Sequence, residues 1–405
     1  MVMDNIYLSN KPKVLYLSHK SPAAYNEGGR MRCSFIADAL HGCSDLCVWV
    51  MEDKVSENDP TRRNVPWEQI EFGRPERSIG KKFAWYFHAL LTPWPILACV
   101  YMNQSRSDQL LAKLASFKPD IVILGDSQLG ILQPVIRRQL PHCRVILDTH
   151  NVDWLLAARI ANQTGSFFQK LKRYVISRNI KLSETRTVSS CDEVWVTSED
   201  DSRWFKKMGA KQIVVIPNSI DLERYSAMPL TGNRSIAYCG LYAYPPNEQA
   251  ALFLIRLSHD LHSAGCSHTL RLIGREPTPQ MFSEARQAAY IEIVGEVSSA
   301  AEEILKSDVF AAPILAGSGT KFKVIEALAL GRAVITTPLG NEGLGFVTTC
   351  HALIAAPVDF CESVKRLLDM ADAGQSLAHN GRKWVEDNLS PIAIREKIGE
   401  RIRKS

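Results

Sequence analysis

Short apolar runs alternate with stretches of helical spacing along almost the whole chain. Lys13–Leu17, Leu46–Val50, Asp120–Leu124, Arg144–Asp148, Val194–Thr197 and Val214–Ile216 read as strands of one set. Ile236–Cys239, Leu270–Ile273, Ile291–Val294, Val309–Ala312, Ala333–Thr336 and Leu353–Ala355 read as strands of a second. Segments whose apolar positions recur every three to four residues separate most of them, which predicts an α/β chain with two parallel sheets. The periodicity is weakest over Asp221–Asn233, where Pro229 and Gly232 interrupt it, so the predicted domains are 1–228 and 229–388. Helical spacing in the closing segment, 389–405, is broken at Ser390 and Pro391, and this segment is expected to bend out of the second domain and return to the first.

Open parallel sheets bind ligands beyond the carboxyl ends of their strands, so two such domains facing one another predict a central cleft lined by strand-to-helix loops. In the first half these loops carry Gly28, Gly29 and Arg30, then Thr149, His150 and Asn151, then Pro217, Asn218 and Ser219. In the second half they carry Gly240, Gly274 with Arg275, Gly295 and the segment 317–323. That last segment has the most chemistry. Gly317, Ser318, Gly319 and Thr320 form a flexible turn, and helical spacing then runs from Lys321 to Leu330, ending at Gly331. Lys321 and Lys323 therefore fall in a first helical turn, where the helix dipole makes each added cation unfavourable by a few tenths to ~1 kcal/mol. A glycine turn, a helix N-terminus and two ammonium groups together describe an anion site, whose commonest occupant is phosphate. Glu326 follows on the second turn, within reach of sugar hydroxyls. On helix statistics alone the lysines are better read as solvated, because the penalty is small and screened by water; the other motifs tip the balance.

Composition narrows the class. The 405 residues are too many for one ordinary core, and 46% hydrophobic with 22% charged residues is the balance of a folded globular chain. A net charge of +5 gives no case for nucleic-acid binding. Ten cysteines are scattered without a CxxC pair, which fits a reducing, cytoplasmic location and argues against a zinc or disulfide framework. No signal peptide and no spanning segment is expected, since the most apolar stretch, Phe83–Met102, is broken by His88, Pro93 and Pro95. Ser198 and Asp201 read as a helix cap rather than as part of a metal site, and His259, His262 and His268 as surface helix and turn. Two stretches, Arg74–Trp94 and Lys170–Arg186, mix basic with apolar or aromatic residues and are candidates for peripheral contact with an anionic membrane face or a lipid phosphate.

Six motifs occur in a recognisable order: GGR (Gly28–Arg30), DTHN (Asp148–Asn151), VIPNSID (Val215–Asp221), YCGLYAYPPNEQA (Tyr238–Ala250), LRLIG (Leu270–Gly274) and GSGTKFKVIEALALGRAVITT (Gly317–Thr337). Over nearly its full length the chain resembles glycosyltransferase family 4. It is most similar to the subgroup of bacterial surface-polysaccharide clusters, with its G-x-G-x-x-x-K-x-x-E pattern. The resemblance implies two Rossmann-like domains of the GT-B type. It implies a retaining transfer from a nucleotide-sugar donor to a glycan or polyprenyl-linked acceptor, by front-face displacement and without metal or other cofactor. By the same resemblance His150 contacts the donor sugar, Glu326 the ribose, and Lys323 with Lys321 the diphosphate. Gly28, Gly29, Arg30, Asn218, Gly240, Arg275, Ser318, Gly319 and Thr320 complete the donor site, with the base near Gly295–Val297. The chain departs from the wider family in two places. Ser318 stands where the first of a glutamate pair is usual, and Leu241 and Asn247 occupy a region where many members carry an arginine and a lysine. Two competing readings remain: a nucleotide-sugar 2-epimerase, which can share the two-domain architecture, and, suggested by these departures, a non-catalytic binding subunit of a glycan-assembly complex.

Overall fold

The computed structural model of the protein describes residues 11–23, 28–51, 64–66, 68–71, 94, 104–161, 167–316, 320–369 and 371–403. Contacts divide the chain into two compact units, Met1–Pro217 with Ile392–Ser405, and Asn218–Pro391. The first holds β1 (Lys13–Ser18), β2 (Asp45–Val50), β3 (Glu68–Glu71), β4 (Ile121–Leu124), β5 (Arg144–Asp148), β6 (Glu193–Val196) and β7 (Ile213–Val215), in the spatial order β3-β2-β1-β4-β5-β6-β7. The second holds β8 (Ser235–Cys239), β9 (Thr269–Ile273), β10 (Ile291–Gly295), β11 (Val309–Ala312), β12 (Ala333–Thr336) and β13 (Leu353–Ile354), in the order β10-β9-β8-β11-β12-β13. Neighbouring strands run parallel in both sheets, as β1 does with β4 (Val14 beside Ile121) and β8 with β11 (Ile236 beside Val309).

Every strand that the apolar pattern predicts is present. β3 is additional: its sequence, Glu-Gln-Ile-Glu, offers one apolar residue, which suffices for an edge strand and leaves no pattern to read. Side chains alternate across the first sheet as the two-residue period requires. Leu15 and Leu17 join Val122, Val145 and Val194 on one face, whereas Val14 and Tyr16 join Ile36, Val48 and Ile123 on the other. The second of these clusters also takes in Ile394, Ile398 and Ile402 from the helix Pro391–Arg403. The break at Ser390 and Pro391 thus ends the helix Ala371–Asn388 and starts one that packs on the first unit.

The division between units falls at Pro217–Asn218, before the expected 228/229. Ile220 and Tyr225 lie in the second unit's core. The fully buried Arg332 donates to the carbonyls of Met228, Pro229 and Ser307, and Arg382 to that of Tyr225. Asp308 accepts from the backbone N–H groups of Thr231, Gly232 and Arg234 at 2.5, 3.0 and 2.8 Å. Polar ties hold this segment, and such ties leave no periodicity in the sequence.

In each sheet the strand order reverses once, between β1 and β4 and between β8 and β11. Loops leaving the carboxyl ends of those strands flank the topological switch points at which open parallel sheets bind ligands.

Candidate active site

At the second unit's switch point the chain leaves β8 at Cys239 and returns from β11 into the helix Phe322–Ala329. Lys321 is the N-cap of this helix, with no side-chain capping bond, and Lys323 lies in its first turn. The Lys323 ammonium donates to Tyr238 Oη at 3.0 Å, to the Cys239 carbonyl at 2.8 Å and to Asn247 Oδ1 at 2.7 Å, and sits 4.4 Å from the centroid of the Tyr238 ring. All three acceptors are neutral, and among the described residues no carboxylate forms an ion pair with it. Asn247 in turn donates to the Leu241 carbonyl at 2.9 Å. Asn247, in the region where the chain departs from the wider family, is therefore a residue that Lys323 reaches from another element. One turn further, Glu326 accepts from Tyr225 Oη at 2.7 Å. Burial pushes its carboxyl up, opposed by the tyrosine hydrogen bond and the Lys323 charge.

Backbone contacts bind the neighbouring strand ends together. Gly240 N–H donates to the Ile273 carbonyl at 3.0 Å, Gly274 N–H to Gly295 at 2.7 Å and Tyr242 N–H to Arg275 at 2.9 Å. Gly274 has φ +139°, and a Cβ there would come within 1.8 Å of the Gly240 carbonyl oxygen. Of the other predicted donor residues, Arg275 is exposed, Val297 is partly buried against the core, and Asn218 is buried at the start of the unit. Thr320 precedes the Lys321 cap, whereas Gly317, Ser318 and Gly319 lie outside the described residues.

The first unit's switch point carries a second polar group. His19 and Lys20 follow β1, Gly125 and Asp126 follow β4, and His150 follows β5 alongside. Gly28 opens the helix Gly28–Cys43, and Arg30 lies in its first turn. A Cβ at Gly29 would come 3.1 Å from Lys20 Nζ, so glycine there lets the lysine cross the helix start. His150 Nε2 lies 3.7 Å from Cys33 Sγ, and its ring meets that of His19 edge to face at 5.4 Å. Burial, then the charges of His19, Arg32 and Lys20, push its pKa well below the usual value, so the imidazole is neutral. Asp148, of the same DTHN motif, makes a buried ion pair with Arg32 at 2.5 Å, and Arg32 also donates to the Ile216 carbonyl at 2.9 Å. That aspartate fixes the loop carrying His150. Asp126 Oδ2 lies 3.6 Å from His19 Nδ1. Asp153 accepts from Ser127 Oγ at 2.8 Å, and Glu184 accepts from the N–H groups of Asp153 and Trp154 at 3.0 and 3.1 Å. Burial pushes the Asp126, Asp153 and Glu184 carboxyls up, and the charges of neighbouring carboxylates raise them further.

His19, Lys20 and Asp126 escape the sequence reading although they follow strands as His150 does; the same strand-end rule applied to β1 and β4 finds them. Tyr225 gives no such signal, because it sits in the aperiodic segment. Ser198 caps the helix Glu199–Lys207 through Asp201 N–H, as expected. His268 is buried, with one ring nitrogen 2.6 Å from Ser258 Oγ and the other 2.9 Å from the Cys266 carbonyl. This corrects its surface assignment, and the reason is that two local polar partners satisfy the ring. Among the described residues no group of three His, Cys, Asp or Glu could hold a metal ion, and no helix is long and apolar enough to cross a membrane.

Two family models match the chain: "Glycosyltransferase Family 4" over residues 72–224 and "Glycosyl transferases group 1" over residues 233–370. A phosphatidyl-myo-inositol mannosyltransferase of Mycobacterium tuberculosis is 27% identical over 150 residues, 34% of this chain and 38% of the relative. Its Mycolicibacterium smegmatis counterpart is 25% identical over 150 residues, 34% of this chain and 37% of the relative. These matches thus span well under half the length of the curated relatives. Among solved structures, the sucrose-phosphate synthase from Thermosynechococcus elongatus superposes with a TM-score of 0.73 at 16% identity, covering 97% of this chain and 98% of that one. HepE of Anabaena, in complex with UDP, superposes with a TM-score of 0.69 at 12% identity, covering 97% and 100%. At such identities the likeness is one of fold.

Proposed function

We propose, for a chain that belongs to glycosyltransferase family 4 and has the GT-B fold, that it is a retaining glycosyltransferase. It moves a hexose from a nucleotide-diphosphate donor to a glycan or lipid-linked acceptor of bacterial surface polysaccharide. One observation carries this reading: the Lys323 ammonium is held at a topological switch point by three neutral oxygens, and among the described residues it forms no ion pair, although the charge of Glu326 one turn on is felt across the site. A cation so placed, at a helix N-terminus and with only neutral hydrogen-bond partners, suits an anionic ligand. UDP and UDP-glucose in the complexes of the Anabaena protein, and the mannosyl transfer in the mycobacterial relatives' name, support a nucleotide-linked sugar as that ligand.

Breaking the bond from the anomeric carbon to phosphate builds negative charge on the leaving diphosphate. Lys323, Lys321 and the N–H groups at the start of the Phe322–Ala329 helix meet that charge; one preorganised donor of this kind is typically worth ~3 kcal/mol in the transition state. Tyr225 fixes the Glu326 carboxylate for the ribose hydroxyls. Neutral His150 hydrogen-bonds a sugar hydroxyl without adding repulsion to the developing positive charge at the anomeric carbon. In front-face displacement the departing phosphate oxygen takes the acceptor's proton, so no carboxylate nucleophile is required. The chain's own cations fill the place that a metal takes in other transferases.

Calorimetric titration with UDP, GDP and ADP in EDTA tests the donor site. One diphosphate is expected to bind without metal, and Lys323→Ala, which removes hydrogen bonds from a charged donor, is expected to weaken it about 10- to 100-fold. Glu326→Gln should weaken it less, and thermal melts should show both variants folded. If none of the three diphosphates binds wild-type protein, the donor site is wrong and the non-catalytic reading replaces it. A donor sugar altered without acceptor would identify the 2-epimerase.

A further inference from the structure

We propose that the outward face of the helix Phe167–Ser190 docks the protein on an anionic phospholipid surface. Val175, Arg178, Leu182 and Arg186 follow one another at spacings of three and four and are all exposed, which places them on one stripe. Tyr174 and Lys181 lie beside it, with Tyr174 65% and Leu182 45% exposed. The same face thus offers apolar bodies and cationic heads. Glu184, the one carboxylate in the stretch Lys170–Arg186, is turned inward and fully buried, capping the helix Asp153–Ala161. The outward charge is therefore of one sign, and among the described residues Arg178, Lys181 and Arg186 have no ion-pair partner.

The aromatic groups alongside extend the pattern. Lys181 Nζ lies 4.6 Å from the centroid of the Trp154 ring, Trp154 meets Trp204 edge to face at 5.3 Å, and Lys207 lies 4.7 Å from Trp204. Both tryptophans are partly exposed. Indole rings with lysines over them, next to tyrosine and leucine, are the side chains that settle at the level of lipid headgroups, while arginines pair with lipid phosphates. A neutral or acidic face would leave a helix like this solvated. The basic one selects an anionic surface over a zwitterionic one. Nothing in this inference depends on the donor reading, since neither donor nor acceptor enters it.

Co-sedimentation of the full chain with phosphatidylcholine vesicles, and with vesicles of equal parts phosphatidylcholine and phosphatidylglycerol, tests it at low and high salt. Binding is expected on the mixed vesicles only and is expected to fall at high salt. Arg178→Ala with Arg186→Ala should lower the partition coefficient about 30-fold, at ~1 kcal/mol for each basic residue near the surface, and Leu182→Ser should also weaken it. Arg256→Ala with Arg366→Ala, exposed charges of the second unit, should leave it unchanged. Thermal melts establish that each variant is folded. Equal binding to both vesicle types, no binding to either, or equal loss in the control pair overturns the proposal. So does a change of sedimentation coefficient with the Arg178 and Arg186 substitutions in the absence of lipid, which would make the face a contact between copies of the chain.

Discussion

Asp126, Asp153 and Glu184 hold protons that carboxyls in water release near pH 4. Burial removes the solvation of their charged forms, and each charge makes the next less favourable. Asp153 is pushed up to about 7. Its folded pKa lies above its unfolded one, so the proton stabilises the fold fully below about pH 4, and this contribution is lost as the pH rises through about 7, on the order of 4 kcal/mol in all. Asp153→Asn keeps an oxygen for Ser127 Oγ and removes the charge. The variant should be more stable than wild type at pH 8 and equal to it near pH 4 in urea unfolding; a constant difference across that range would mean that Asp153 does not titrate in the window. His150 and Asp148 make a contrasting pair. Both belong to one motif legible in the sequence, yet only packing tells that the aspartate is paired with Arg32 while the histidine ring lies against Cys33 and His19.

At the level of elements, strand ends decide where chemistry can gather. The ends of β8 and β9 lie close together because Gly274, without a side chain, lets its backbone come against that of Gly240. Gly274→Ala puts a methyl group against the Gly240 carbonyl at a φ that L residues avoid, and should cost about 3 kcal/mol or more. Because Lys323 is bound to the neighbouring Cys239 carbonyl, the same variant should also weaken diphosphate binding. A melting temperature within a degree or so of wild type, on the scale where ~1 kcal/mol moves it by several degrees, would show that the strand ends part without cost. The helix Phe322–Ala329 was readable from its spacing, and so was its charged first turn. That its lysine ends on the carbonyl of a strand far away in the chain was not, because helix spacing says nothing about which strand lies beside it.

For the molecule as a whole, the last helix returns to the first unit. Ile394, Ile398 and Ile402 recur every four residues and cover the sheet face formed by Val14, Tyr16 and Ile123, while the buried Glu193 accepts from Arg144 at 2.6 Å and from Arg401 Nε at 3.1 Å. Ile398→Ala should cost about 2–5 kcal/mol. In hydrogen exchange the loss of protection should fall on β1–β7 and spare β8–β13; equal loss in both would contradict assignment of this helix to the first unit. Apolar periodicity along the chain was enough to determine the strands, the parallel α/β class and the duplication into two units, because burial of alternate faces is written residue by residue. Motif order was enough to place the chain in its family, and the strand-end loops together with that resemblance were enough to propose His150, Lys323 and Glu326 as candidates. Strand order, and with it the two switch points, emerged only from the tertiary structure, as did the union of Tyr225 with Glu326 and of Lys323 with Asn247. The division at Pro217 rather than after residue 228 emerged there too. These depend on hydrogen bonds and ion pairs between residues far apart in sequence, whose partners are chosen by packing in three dimensions and leave no period in one.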